Sequence, residues 1–243
     1  MLVRRLLSAG PVLALGAGLV AAIVPRSEAP AAPPSNVQQI YLRDCATCHG
    51  ARGEGTDDGP SLEHSGPALA DYMLTTGRMP LAHPDDEMVR HDPRYDAATI
   101  AALVAYVASL HPDAGQPIPE VDVASANLAR GGEDFRLACA ACHQAVGQGG
   151  ALRYGEAPSL MRSTPVQVVE AMRTGPGTMP VFAEDAFSDD EVAGIAAYIQ
   201  YLQDPEDRGG QPLWHFGPLA EGLIAFLAVV FLTGALVVIG ERR

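Results

Sequence analysis

Four cysteines in the chain fall into two close pairs, and a histidine directly follows each pair. The six residues are Cys45, Cys48 and His49, and then Cys139, Cys142 and His143. Residues three and four apart share one face of a helical turn, so two thiols and an imidazole can reach one planar ligand. Cys-x-x-Cys-His is the attachment sequence for c-type haem. One copy would also suit a redox dithiol or half a zinc site, but two copies at a fixed repeat predict two covalently bound haem c groups.

A methionine in a Gly-x-Met-Pro loop follows each haem motif. Met79 lies 30 residues after His49, and Met179 lies 36 residues after His143. A thioether is a soft, neutral ligand, and His/Met ligation of haem iron raises its reduction potential. We predict that His49 and Met79 are the axial ligands of one iron, and His143 and Met179 those of the other. Because both axial positions are then filled, the pattern predicts electron transfer and no catalytic residue.

The features between the motifs recur in the same order, which indicates a duplicated domain of roughly 80–90 residues. Pro60-Ser61-Leu62 returns as Pro158-Ser159-Leu160, and Gly77-Arg78-Met79-Pro80 returns as Gly177-Thr178-Met179-Pro180. The carbonyl groups of Pro60 and Pro158 are expected to accept the proximal histidine's N–H and so fix its orientation.

Helices are expected to carry each copy of the repeat. A helix leads into each cysteine pair, a short helix precedes each methionine loop, and an amphipathic helix ends each copy. The predicted ranges are 36–47, 66–76 and 96–110 in the first copy, and 125–141, 164–174 and 188–203 in the second. Asp96 and Ser188 are plausible N-caps of the last helices. The predicted fold class is all-α.

Apolar segments lie near both ends of the chain. The first, from Leu6 to Val24, is either a cleaved signal peptide or a retained membrane anchor. The second, Gly222 to Ile239, is unbroken for 18 residues and precedes Arg242 and Arg243. It predicts a transmembrane helix whose C-terminus is cytoplasmic, so the haem domains would lie on the extracytoplasmic side of a cell membrane.

These features predict the domain limits. The expected segments are a signal peptide or anchor (1–26), a linker (27–35), a first haem domain (36–111), a second linker (112–124), a second haem domain (125–204), a juxtamembrane linker (205–217) and a transmembrane helix (218–240).

The charge of the exported part is strongly negative. Residues 27–212 contain 11 arginines and 27 acidic residues, so their net charge is −16, whereas the net charge of the whole chain is −13. Such a surface is a poor partner for DNA or RNA, whose phosphates need basic contacts. It suits a basic protein partner, or serves solubility alone.

Each half resembles a class I cytochrome c domain. The whole chain resembles the dihaem cytochrome c subunit of the actinobacterial quinol–cytochrome c reductase (cytochrome bc complex). The two haem motifs, Thr-Thr-Gly-Arg-Met-Pro at 75–80 and Gly-Pro-Leu-Ala-Glu-Gly-Leu at 217–223 carry this likeness, which covers about residues 36–243.

The resemblance implies a place in a respiratory translocase beside a cytochrome b subunit. Electrons would arrive from a Rieske iron–sulfur protein, pass through both haems and leave to the copper centre of a haem–copper oxidase. The first haem would face the Rieske protein and the second haem the oxidase.

Two other functions would also use two haems. A dihaem subunit of another membrane oxidase with an N-terminal anchor would lack the apolar C-terminal segment, so residues 219–239 count against it. A dihaem peroxidase would need one iron with a displaceable ligand, which the paired methionine loops do not favour.

Overall fold

The computed structural model describes residues 36–153, 155–205 and 218–241. The predicted signal peptide or anchor (1–26), the linker 27–35 and most of the juxtamembrane linker lie outside the described residues. The described elements are α1 (Val37–Asp44), α2 (Ala46–His49), α3 (Gly66–Thr75), α4 (Ala97–Leu110), α5 (Leu128–Ala138), α6 (Ala140–His143), β1 (Gly150–Leu152), β2 (Gly155–Ala157), α7 (Pro165–Thr174), α8 (Asp189–Gln203) and α9 (Pro218–Glu241).

The last helix of each copy begins where the sequence predicts. The Asp96 side chain accepts the Thr99 amide at 2.7 Å at the start of α4. At the start of α8, Ser188 accepts the Glu191 amide, and the Glu191 carboxylate accepts the Ser188 amide at 3.0 Å. Such reciprocal bonds satisfy amides that have no partner inside the helix. Both predicted N-caps are therefore confirmed.

An aromatic pair joins the first and last helices of each copy. Tyr41 of α1 lies 5.1 Å from Tyr106 of α4, and Phe135 of α5 lies 5.4 Å from Tyr198 of α8, both measured between ring centroids. Tilted rings at such distances attract each other beyond simple area burial. The rest of the two cores is aliphatic, with Leu74, Ile100, Leu103 and Val104 in the first copy and Val168, Val169, Met172, Val192, Ile195, Ala196 and Ile199 in the second.

Two glycines set the separation of α5 and α8. A Cβ placed on Gly131 would collide with the backbone carbonyl of Gly194, so the two helix backbones touch at this point. A side chain there would push the helices apart and open the core between Phe135 and Tyr198. The crossing therefore depends on the absence of a side chain at Gly131.

Two details differ from the predicted helices. The predicted helix at 36–47 ends at Asp44, and the helix at 125–141 ends at Ala138; Cys45 and Cys139 cap these helices, and a new helical turn starts after each cysteine. The second copy also contains a short antiparallel hairpin, β1–β2, so the described chain is mostly helical rather than all-α. The chain leading into the hairpin has positive φ at Gly149, and a Cβ at this position would lie only 2.3 Å from the Ala157 carbonyl oxygen.

The helix α9 is apolar around its whole circumference. Its stretch Leu219–Gly240 contains 22 residues and is long and apolar enough to cross a membrane, and none of it is buried. A helix that exposes apolar residues on every side suits lipid better than water. The predicted helix is confirmed, and its insertion in a bilayer stays a prediction.

Candidate haem-binding sites

The Cys-x-x-Cys-His residues of each copy lie on one helical turn. In the first motif, the amides of Cys48 and His49 donate to the Cys45 carbonyl at 3.2 and 2.9 Å. The second motif repeats this pattern, with the His143 amide 2.9 Å from the Cys139 carbonyl. Both turns therefore display two thiols and one imidazole from a single short segment, as attachment to one haem requires.

A proline carbonyl orients each histidine. The Nδ1 atom of His49 lies 2.8 Å from the Pro60 oxygen, and that of His143 lies 2.9 Å from the Pro158 oxygen. A carbonyl can only accept a hydrogen bond, so Nδ1 carries the proton and Nε2 keeps a lone pair that can bind iron. Burial lowers the pKa of His143, which favours the neutral ring. Both predicted carbonyl contacts are confirmed.

The thiols do not have the environment of a redox dithiol. All four cysteines are free, and burial raises the pKa of Cys45 and of Cys139 to about 11, with a smaller contribution from Asp44 or Asp134. A reactive dithiol needs a lowered thiol pKa. In the described part of the chain, no three His, Cys, Asp or Glu side chains are grouped to hold a metal ion. The motif residues fit covalent haem attachment better than either rival.

Each predicted methionine ligand packs against the same core as the cysteines of its motif. Met79 and Cys45 both contact the first core, and Met179 and Cys139 both belong to the second. The Met79 amide donates to the Met73 carbonyl at 3.1 Å, which holds its loop against the end of α3. The fold therefore brings each Cys and Met into one region, and iron ligation by these residues stays a prediction.

The two methionine loops have different surroundings. Arg78 is 7% exposed, and its guanidinium lies 5.0 Å from the centroid of the Tyr72 ring. The equivalent residue in the second copy is Thr178, which is exposed. A buried cation next to one methionine and a neutral residue next to the other make the two sites electrostatically different.

The two copies meet through polar contacts that the sequence analysis did not anticipate. Gln167 of α7 donates to the Thr75 hydroxyl at 3.2 Å and accepts from Arg90 at 2.5 Å. Arg162 contacts Asp92 at 2.9 Å. Each bond joins the first copy to the second, so the haem domains form one packed body around α3 and α7.

A buried carboxyl group lies at the same contact. Glu170 of α7 is 0% exposed, and neither of its oxygens accepts a hydrogen bond from a donor group in the described chain. Burial and the neighbouring Asp71 raise the pKa of Glu170 to about 9. Asp71 and Glu170 are the sixth residues of two ten-residue helices, so the structure gives them equivalent positions in the two copies.

Comparison with known families identifies both halves of the chain as cytochrome c domains. The family model described as cytochrome c matches residues 35–111. The model described as cytochrome c oxidase, cbb3-type, subunit III matches residues 126–199. These matches support haem c binding in each half.

Several curated proteins are similar over nearly the whole chain. The cytochrome bc1 complex cytochrome c subunit of Mycobacterium tuberculosis is 35% identical over 261 residues, covering 98% of this chain and 92% of that protein. The protein of the same name from Mycobacterium leprae is 34% identical, covering 95% and 85%. That of Corynebacterium diphtheriae is 34% identical, covering 99% and 95%.

Proposed function

Because this chain belongs to the family of cytochrome bc1 complex cytochrome c subunits, we propose that it relays electrons through two haem c groups from a Rieske iron–sulfur protein to a haem–copper oxidase. Membership already means that the chain is an electron-carrying subunit of a respiratory oxidoreductase complex at a membrane. The identity of its two electron partners is the proposal. The observation that carries it is the repeated motif turn with an oriented histidine, which occurs once in each cytochrome c domain.

The proposed roles of the site residues follow from that geometry. Cys45 and Cys48 would hold the first haem, with His49 and Met79 as its axial ligands. Cys139, Cys142, His143 and Met179 would do the same for the second haem. When bound, haem c supplies one-electron chemistry at its iron. The chain's own residues orient the imidazoles through Pro60 and Pro158 and supply the packed cores that exclude water.

The proposed location has the haem domains outside the cytoplasm, with α9 crossing the membrane beside a cytochrome b subunit. In this arrangement the first haem would face the Rieske protein and the second the oxidase. The apolar surface of α9 supports it over a water-soluble carrier. The methionines packed at both cores argue against a peroxidase, which needs an open coordination site.

Affinity purification of the tagged full chain in mild detergent tests the partners. We expect b-type haem spectra, a Rieske protein and a haem–copper oxidase to co-purify, as detected by optical spectroscopy and mass spectrometry. Recovery of a dihaem protein alone would overturn the proposed relay. Rapid peroxide turnover by the purified chain would favour the peroxidase instead.

A matched pair of variants tests the order of the haems. In membranes, Cys139→Ala with Cys142→Ala should leave a first haem that quinol still reduces but that no longer supports oxygen consumption. Cys45→Ala with Cys48→Ala should leave a second haem that quinol does not reduce. The reverse pattern would show that the second haem faces the Rieske protein.

A further inference from the structure

The duplication places two equivalent acidic residues opposite each other. The helices α3 and α7 each contain ten residues and pack against one another, and Asp71 and Glu170 are the sixth residue of each. One turn later, the Thr75 and Thr174 hydroxyls donate to the Asp71 and Glu170 carbonyls, both at 2.7 Å. The two helices thus have the same local geometry. Their packing creates a contact between like positions, as a two-fold interface does.

Glu170 lies in an environment that does not support a charge. Its side chain is 0% exposed and is covered by residues of the protein. Neither carboxyl oxygen accepts a hydrogen bond from a donor group in the described chain, and none of the ion pairs found among those residues includes Glu170. A buried carboxylate without a partner is strongly unfavourable.

The groups around Glu170 do not compensate a negative charge. From α3, Asp71 and Tyr72 face it, and both would carry negative charge if ionised. The cations Arg78 and Arg90 act on Tyr72. The helix α8 also packs against α7, and its buried residues are apolar or small, namely Val192, Gly194, Ile195, Ala196 and Ile199.

We propose that Asp71 and Glu170 form a proton-binding site in which a single shared proton links the two haem domains. Glu170 holds the proton and donates its O–H to the Asp71 carboxylate. A hydrogen bond from a carboxylic acid to a carboxylate is short and among the stronger ones in proteins. On deprotonation the Glu170 O–H bond breaks, the proton passes to solvent, and two like charges face each other across the contact of α3 and α7.

The proposed site differs from the other links between the domains. The hydrogen bonds of Gln167 to Thr75 and Arg90 involve no group that titrates near pH 7. The Arg162–Asp92 ion pair is exposed to solvent and therefore contributes little to stability. Only the carboxyl pair changes from attraction to repulsion when one proton leaves. The structure therefore contains one link between the haem domains that depends on proton binding, in addition to several that do not.

Infrared spectroscopy of the haem-loaded full chain in detergent tests the proton itself. At pH 7, the wild type should show a protonated-carboxyl C=O band that Glu170→Gln lacks and that the exposed control Glu156→Gln retains. The band should vanish as the pH rises, and it should vanish at a lower pH in Asp71→Asn, where one negative charge is removed. The proposal is overturned if Glu170→Gln removes no band, or if Asp71→Asn leaves the titration of the band unchanged.

Distance measurements test the link between the domains. Spin labels on Ala101→Cys and Glu133→Cys, two exposed positions on α4 and α5, report the separation of the two haem domains by pulsed electron paramagnetic resonance. We expect one narrow distance distribution at pH 7. At a pH one unit above the infrared midpoint, it should broaden in the otherwise wild-type chain and stay narrow in the Glu170→Gln background. Equal broadening in both backgrounds would overturn the proposed link.

Discussion

Each haem motif orients its histidine through a hydrogen bond to a proline carbonyl of the chain. The Nδ1 atoms of His49 and His143 are held by the carbonyls of Pro60 and Pro158 at 2.8 and 2.9 Å. This bond fixes the tautomer and the ring plane, and it makes Nε2 a better donor to a metal. The proximal side of both sites is thus organised by carbonyl groups of the chain, whereas iron ligation by Met79 and Met179 on the distal side stays a prediction.

Replacing each methionine by alanine tests the distal ligands. In Met79→Ala or Met179→Ala, one iron loses its thioether, so about half of the thioether-to-iron absorption band should remain, and the potential of that haem should fall. Optical redox titration of the purified chain measures both effects.

Met172→Leu serves as the control, because Met172 is buried in the second core and is not a proposed ligand. That substitution keeps the volume of the side chain and should leave the band intact. A full band in Met79→Ala or Met179→Ala would show that another residue binds that iron.

Glu170 should make the stability of the protein depend on pH. Its pKa is about 9 in the fold and has a reference value of 4.5, so the folded state binds the extra proton between these values. The contribution of this proton to the free energy of unfolding is then fully present below about pH 4.5 and is lost as the pH rises to about 9. Glu170→Gln should remove this dependence, and its Tm should exceed that of the wild type by roughly 3 °C or more at pH 8.

Thermal unfolding followed by circular dichroism at pH 5 and pH 8 measures the difference. Glu156→Gln, which changes an exposed carboxylate, should follow the wild type at both values. A Tm difference between wild type and Glu170→Gln that is the same at both pH values would show that Glu170 is ionised in the fold.

At the scale of the secondary-structure elements, α5 and α8 pack backbone against backbone at Gly131 and Gly194. A Cβ on Gly131 has no room against the Gly194 backbone, and backbone cannot move aside as a flexible side chain can. Gly131→Ala should therefore destabilise the second domain by about 2–3 kcal/mol through overpacking, despite the higher helix propensity of alanine. Denaturant unfolding monitored in the haem absorption region measures the loss.

Glu133→Ala provides the matched control, because this residue lies on the exposed side of the same helix. Its effect should stay within about 0.5 kcal/mol. A stabilising effect of Gly131→Ala would mean that the two helices are farther apart than the structure shows.

The features that depend on residues close together in the sequence could be predicted from the sequence. The caps at Asp96 and Ser188 and the proline carbonyls at 60 and 158 are determined within a few residues of each element. The hairpin at 150–157 could not, since strands of three residues leave no recognisable alternation.

The packing of α3 against α7 also could not be predicted from the local sequence pattern of either helix. A glutamate in a short helix indicates a solvent-exposed position by the usual preference, and only the partner helix explains why Glu170 is buried. The repeat makes Asp71 and Glu170 equivalent, but periodicity within either helix does not reveal which faces meet. The haem motifs were easy to recognise because their chemistry requires fixed spacing along the chain.

For the molecule as a whole, the two haem domains share a plan and differ in electrostatics. The first has the buried Arg78 beside its methionine, and the second has the exposed Thr178 there together with the buried Glu170 in α7. A nearby positive charge stabilises ferrous over ferric haem, because the ferric form carries one more positive charge. The two proposed haems would thus differ in potential although their proposed ligands are the same.

The orientation of the chain in the membrane can be tested with reporter proteins fused before and after α9. Haem domains outside the cytoplasm and a C-terminus inside are expected, because Arg242 and Arg243 follow the helix and positive residues favour the cytoplasmic side. Alkaline phosphatase, which is active only after export, should be active when fused after Asp204 and inactive when fused after Arg243. A green fluorescent protein that fluoresces only in the cytoplasm should give the opposite pattern. Phosphatase activity at Arg243 would mean that α9 does not cross the membrane, whatever the fate of residues 1–26.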